Sequence, residues 1–321
     1  MKAVIFTKYG SPDVLELREV QKPAPKDDEV LVRVHAVSLN DWDVGALGGT
    51  DFVNRLIFGL VSPKKQILGS DVAGRVEAVG RNAKQFRTGD EVFGDLSGVW
   101  GGFAEYVCAR ENALVLKPPT MTFEQAAALP QAAMLALQGL RDIGRIKSGQ
   151  SLLINGAGGG VGTFAMQIAK LYRAEITAVD SASKLDMLRS MGAKHVIDYT
   201  QEDFTRSAQR YDLIFDVKTS RSIFDCARAL SPHGTYVTVG GSMPRLFQGL
   251  LSWPWIAMTT SKRIRILALK PNKGLAYMNE LFEAGTVVPV IDRSYELTQI
   301  AEAFRHFGAG QHKGKVVVTV R

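Results

Sequence analysis

The chain has 321 residues, enough for two domains and a sizeable core, and at 46% hydrophobic and 22% charged it has the balance of an ordinary globular protein. The net charge of +7 comes from scattered basic residues whose tightest runs, Lys64-Lys65 and Lys262-Arg263 with Arg265, are too short to argue for a nucleic-acid partner. Two cysteines without CxxC spacing, Cys108 and Cys226, exclude a disulfide framework and, with no signal-peptide layout and no apolar run of spanning length, place the expectation on a cytoplasmic protein without a membrane span.

From Met1 to about Pro119 short apolar runs at 30–34, 74–79 and 91–93 alternate with Gly, Pro and Asp turn signals, which predicts a compact all-β module. A helical pattern starts at Phe123. From 151 to about 269 strands and helices alternate. Strands are predicted at 152–155, 176–180, 195–198, 212–217 and 235–240, and helices lie between most of them, such as 184–191 and 222–230. Alternation at this spacing implies right-handed crossovers and a parallel sheet covered on both faces. Helices at 274–284 and 297–307 and a last strand at 316–320 follow, and this segment is expected to return to the first module.

The sharpest signal is the run 152–170. An apolar strand meets five glycines in seven residues, Gly156, Gly158, Gly159, Gly160 and Gly162, with Ala157 and Val161 between them, and an apolar-periodic helix follows. Such glycines let the backbone turn tightly and approach a pyrophosphate at the positive end of the helix. Asp180, 18 residues beyond Gly162, ends the next strand and completes the context of a dinucleotide site. Asp180 favours NADH by accepting from a ribose hydroxyl, whereas Ser181 and Lys184 suit the 2′-phosphate of NADPH. Lys184 as a solvated helix residue and Ser181 as a helix cap are the plain alternatives.

In the first module the segments 69–80, 89–94 and 102–107, then 126–130 and the closing Lys313-Gly314-Lys315-Val316-Val317, resemble the signatures of medium-chain dehydrogenases/reductases, in order along the whole chain. The chain looks closest to the zinc-free quinone oxidoreductases, in particular bacterial relatives of the reticulon-4-interacting mitochondrial reductase. The resemblance implies an α/β fold: a Rossmann doubly wound parallel sheet over 121–269, plus a GroES-like β-rich catalytic domain over 1–120 completed by 270–321. Zinc enzymes of the family carry Cys where this chain has Asn40 and His where it has Ser70, so no metal site is expected. The five dispersed histidines read as structural or surface residues.

The function so implied is zinc-independent transfer of hydride from NADPH, with NADH possible, to quinones or α,β-unsaturated carbonyls. Charge develops on the acceptor oxygen and needs hydrogen-bond donors. Asn40, Trp42 and Asp43 fall in the family's pocket motif: Asn40 as donor to the acceptor, Trp42 as wall, Asp43 as buried acceptor or contributor to proton delivery. No dedicated general acid is evident. Tyr199 joins Ser181 and Lys184 at the adenosine end, and Val239, Gly240 and Gly241 face the nicotinamide. Leu135 stands where relatives often have Thr, and Lys218 where small apolar residues are common. The apolar stretch 246–258 suits a cleft cap, a subunit contact or plain core. An NAD-linked reductase of the same fold and a cofactor-sensing binding protein with little catalysis are the competing readings. A small-molecule substrate and a homodimer are the expected partners.

Overall fold

The computed structural model describes residues 1–50, 52–240 and 260–320. The chain divides into two compact units, Met1–Gln131 with Pro271–Arg321, and Ala132–Lys270. Gly241 and the apolar stretch 246–258 lie outside the described residues.

The first unit is built on a seven-stranded sheet. Its path runs Ile291–Glu296, Lys315–Thr319, Glu29–Ser38, Asp71–Val79, Glu91–Asp95 and Val115–Leu116, and Tyr106–Arg110 also pairs with Glu29–Ser38. All pairings are antiparallel except that of the first two strands. Alternation along Glu29–Ser38 and the Val-rich Lys315–Thr319 buries Val30, Val32, Val34, Val316 and Val318 in one core with Phe6, Phe103 and Phe304. The helix Ile300–Gly308 joins that core through Ile300, Ala303, Phe304 and Phe307, one apolar face at helical spacing.

The module is not all β, as the turn-rich sequence suggested. Helices Asp41–Gly48 and Phe52–Phe58 interrupt it directly after the central strand. The apolar residues there follow no clear helical stripe, and the helix is set instead by its first turn, with Asp41 and Asp43 at the positive end of the helix dipole.

The second unit is a six-stranded parallel sheet in the order His195–Asp198, Glu175–Asp180, Ser151–Asn155, Tyr211–Asp216, Leu230–Thr238, Arg263–Ile266. The order reverses between Ser151–Asn155 and Tyr211–Asp216, the switch point at which open α/β sheets bind ligands beyond the carboxyl ends of their strands. Helix Gly160–Leu171 follows the first of these strands and buries Phe164, Ala165, Met166, Ile168 and Ala169. The segment Gln138–Ile143 widens into a π-helical turn closed by Gly144 N–H on the Gly139 carbonyl at 2.8 Å. Gly139 is required there, because a Cβ would stand 2.2 Å from Cε2 of Phe215.

Candidate active site

In the second unit the glycine turn is held at its base. Gly156 has φ +85°, and its N–H and that of Ala157 donate to the Val179 carbonyl at 2.9 and 3.1 Å. Gly162 lies against the turn so closely that a Cβ would sit 2.2 Å from the Gly156 carbonyl oxygen. A side chain at Gly159 would meet only that same oxygen, at 3.8 Å, so the loop is open where helix Gly160–Leu171 begins. No side chain caps that helix, and Gly159, Gly160 and Val161 remain partly accessible. The first-turn N–H groups thus form a cradle suited to a pyrophosphate.

Asp180 sits behind this cradle. One carboxylate oxygen accepts from Gly158 N–H at 2.8 Å and the other from Ser181 N–H at 2.9 Å, and Lys184 Nζ lies 3.5 Å away. Asp180 and Lys184 are both buried. The carboxylate therefore braces the glycine loop. Ser181 Oγ pairs with Ser183 Oγ at 3.2 Å, and the half-exposed Tyr199 is tied by its N–H to the Asp180 carbonyl. These residues gather at the carboxyl ends of two adjacent strands. Gly240, with φ +144°, and Val239 follow the strand next to Tyr211–Asp216.

Sequence reasoning did not single out Asp216. Its Oδ1 accepts from Asn155 Nδ2 at 2.8 Å, Lys218 N–H at 3.1 Å and Thr219 N–H at 2.8 Å, and its Oδ2 from the Tyr236 hydroxyl at 2.8 Å. This buried hub ties the glycine strand to its neighbour at the switch point. Lys218 is exposed, and a Cβ at Gly156 would meet its Cγ at 2.8 Å, so its stem lies over the turn.

In the first unit Asn40 is the N-cap of helix Asp41–Gly48 and forms a capping box with Asp43. Asp43 is fully buried. It accepts from Asn40 N–H at 2.9 Å and Gly69 N–H at 3.0 Å. Burial outweighs those two donors and raises the Asp43 carboxyl to about 7. Asn40 Oδ1 accepts from Lys315 Nζ at 2.6 Å, and the same ammonium donates to the Leu39 carbonyl at 3.1 Å and lies 3.8 Å from Asp71 Oδ2. Burial likewise raises Asp71 to about 7, with Lys315 opposing and Asp95, directly across the sheet, adding to the rise. The Asn40 amide is near enough to favour ionised Asp71, but Nδ2 is buried with no hydrogen-bond partner. Trp42 is 43% exposed on the first turn of the helix.

Lys315 and Asp71 were not among the expected site residues. Both lie in segments that carry the family resemblance, 69–80 and 313–317, and Lys315 heads an otherwise apolar strand. Among the described residues no group of three or more His, Cys, Asp and Glu side chains could hold a metal ion.

Residues 26–119 match the model of the alcohol dehydrogenase GroES-like domain, and residues 191–318 match that of the zinc-binding dehydrogenases. The chain is 33% identical to the chloroplastic NADPH-dependent alkenal/one oxidoreductase of Arabidopsis thaliana over 99% of its own length and 79% of that protein. It is 32% identical to the human mitochondrial NAD(P)H oxidoreductase RTN4IP1 over 100% of its own length and 89% of that protein. The chain belongs to the medium-chain dehydrogenase/reductase family. Among solved members, the quinone oxidoreductase from Coxiella burnetii superposes with a TM-score of 0.89 at 29% identity, covering 100% of this chain and 99% of that one. The GroES-like and Rossmann folds inferred from the sequence are those of the family.

Proposed function

We propose that this medium-chain reductase transfers hydride from NADPH to quinones or α,β-unsaturated carbonyls without a metal. The observation that carries the reading is the Asn40 site: an amide with an unpartnered buried Nδ2 at a position where zinc relatives hold thiolate. Without a Lewis acid the acceptor must already be electrophilic, as a quinone or an enone is, and its oxygen needs donors as charge develops. The relatives named for alkenals and quinones support the same substrate class.

Gly156, Gly158, Gly159, Gly160, Val161 and Gly162 would hold the pyrophosphate, with Val239, Gly240 and Gly241 toward the nicotinamide. The cofactor supplies the hydride. Asn40 binds the acceptor oxygen, Trp42 walls the pocket, and Asp43 holds the Asn40 backbone in place. Asp180 braces the loop through the Gly158 and Ser181 N–H groups, and this reading gives the adenosine end to Ser181, Lys184 and Tyr199, with the Lys184 cation favouring NADPH. Cys108 and Cys226 form no disulfide, which suits a reducing compartment such as the cytoplasm. A homodimer belongs to this reading through the family resemblance.

The test is oxidation of NADPH and NADH, followed by loss of reduced-nicotinamide absorbance, with a panel of quinones and enones. Turnover with at least one acceptor and a preference for NADPH is expected. Tight binding with no turnover on any acceptor overturns the enzyme reading. Lys184→Ala should weaken NADPH binding by roughly 1.5–3 kcal/mol and leave NADH little changed. Equal losses remove Lys184 from phosphate recognition.

A further inference from the structure

We propose that Lys315 is the positioning residue of the acceptor site: its ammonium fixes the Asn40 side-chain amide with Nδ2 as the available donor and strengthens that N–H toward the acceptor oxygen. The proposal rests on the reductase reading above and adds to it the source of positive charge.

An ammonium has three donors and no acceptor. All three groups around Lys315 Nζ are acceptors: Asn40 Oδ1 at 2.6 Å, the Leu39 carbonyl at 3.1 Å and Asp71 Oδ2 at 3.8 Å. The contact to Oδ1 is as short as a charge-assisted hydrogen bond. It therefore fixes which end of the amide is oxygen, because the flipped amide would set NH2 against NH3⁺. Asp43 holds the Asn40 backbone by accepting from its N–H at 2.9 Å, which fixes where the amide starts. Nδ2 carries two N–H groups, so leaning toward Asp71 still leaves one for a ligand. A cation on Oδ1 draws electron density from the amide nitrogen and makes its N–H a stronger donor, most of all where water is excluded.

The fold delivers Lys315 to this point. Leu39 N–H donates to the Val316 carbonyl at 3.0 Å, which continues the pairing of Lys315–Thr319 with Glu29–Ser38 and sets Lys315 beside residues 39 and 40. Gly314, at φ +82°, turns the chain into that strand where a Cβ would stand 2.2 Å from the Val290 carbonyl oxygen.

The test is a double-mutant cycle on the full chain, with NADPH and either benzoquinone or cyclohexenone. Asn40→Ala should lower kcat on the order of 10²-fold, the scale of one lost oxyanion donor. Lys315→Met should lower kcat about tenfold or more with NADPH affinity unchanged, and the double variant should be no slower than Asn40→Ala within about twofold, because both act through one donor. Since Lys315→Met strands a buried carboxylate, the pair Lys315→Met with Asp71→Asn is measured too. It should recover melting temperature and leave kcat low. Multiplicative losses in the double variant, or kcat recovered along with melting temperature, overturn the role of Lys315 while leaving the reductase reading intact. A wild-type enzyme with no turnover on either acceptor overturns that reading and the Lys315 role with it.

Discussion

Asp43 illustrates how one buried group sets a pH dependence. Its ordinary value is 3.8 and burial raises it to about 7, so between these pH values the folded chain holds a proton that the unfolded chain has lost. Its contribution to stability is thus full below pH 3.8 and is lost as pH rises through 7. Asp43→Asn cannot ionise. Its stability relative to wild type, measured by denaturant unfolding, should improve between pH 5 and 8 by on the order of 1 kcal/mol or more. A flat difference would mean that the two N–H donors compensate the buried charge in full. Gly162 is a steric case. Its Cβ would stand 2.2 Å from the Gly156 oxygen and 2.5 Å from Ala157 Cα, both backbone atoms. Gly162→Ala should cost about 1–3 kcal/mol in thermal unfolding and weaken NADPH binding, because relief requires the cradle itself to open.

At the scale of the element, local patterns were legible and long-range pairings were not. The glycine run could be placed between a strand and a helix because both periods are visible within a few residues, and Ser151–Asn155 and Gly160–Leu171 flank it. The helix Asp41–Gly48 escaped because its apolar residues follow no clear helical stripe and Gly45 and Gly48 lie within it. Lys315 meets Asn40 across 275 positions, and nothing local at either residue announces the other. By contrast, helix Phe123–Ala128 carries a visible capping box: Gln125 N–H donates to Thr122 Oγ1 at 3.2 Å and Thr122 N–H to Gln125 Oε1 at 3.0 Å. Thr122→Ala should lower stability by about 1 kcal/mol in equilibrium unfolding. No change would show that packing alone holds the helix.

At the scale of the whole molecule, the chain makes one unit from its two ends and the other from its middle. Residues 132–270 contain every strand of the parallel sheet. The first unit needs Lys315–Thr319 inserted between Ile291–Glu296 and Glu29–Ser38. A chain shortened to residue 310 should lose the cooperative unfolding of the first unit and all reductase turnover, yet keep NADPH binding by calorimetry. Loss of both would show that the nucleotide unit depends on the first. The same arrangement orders events at the ribosome, where domains fold as units and the earlier ones first. The strand Lys315–Thr319 brings Val316 and Val318 to the core and Lys315 to Asn40 in the same few residues. A nascent chain can thus meet its dinucleotide before it has anywhere to send the hydride, and chemistry is withheld until that strand has docked.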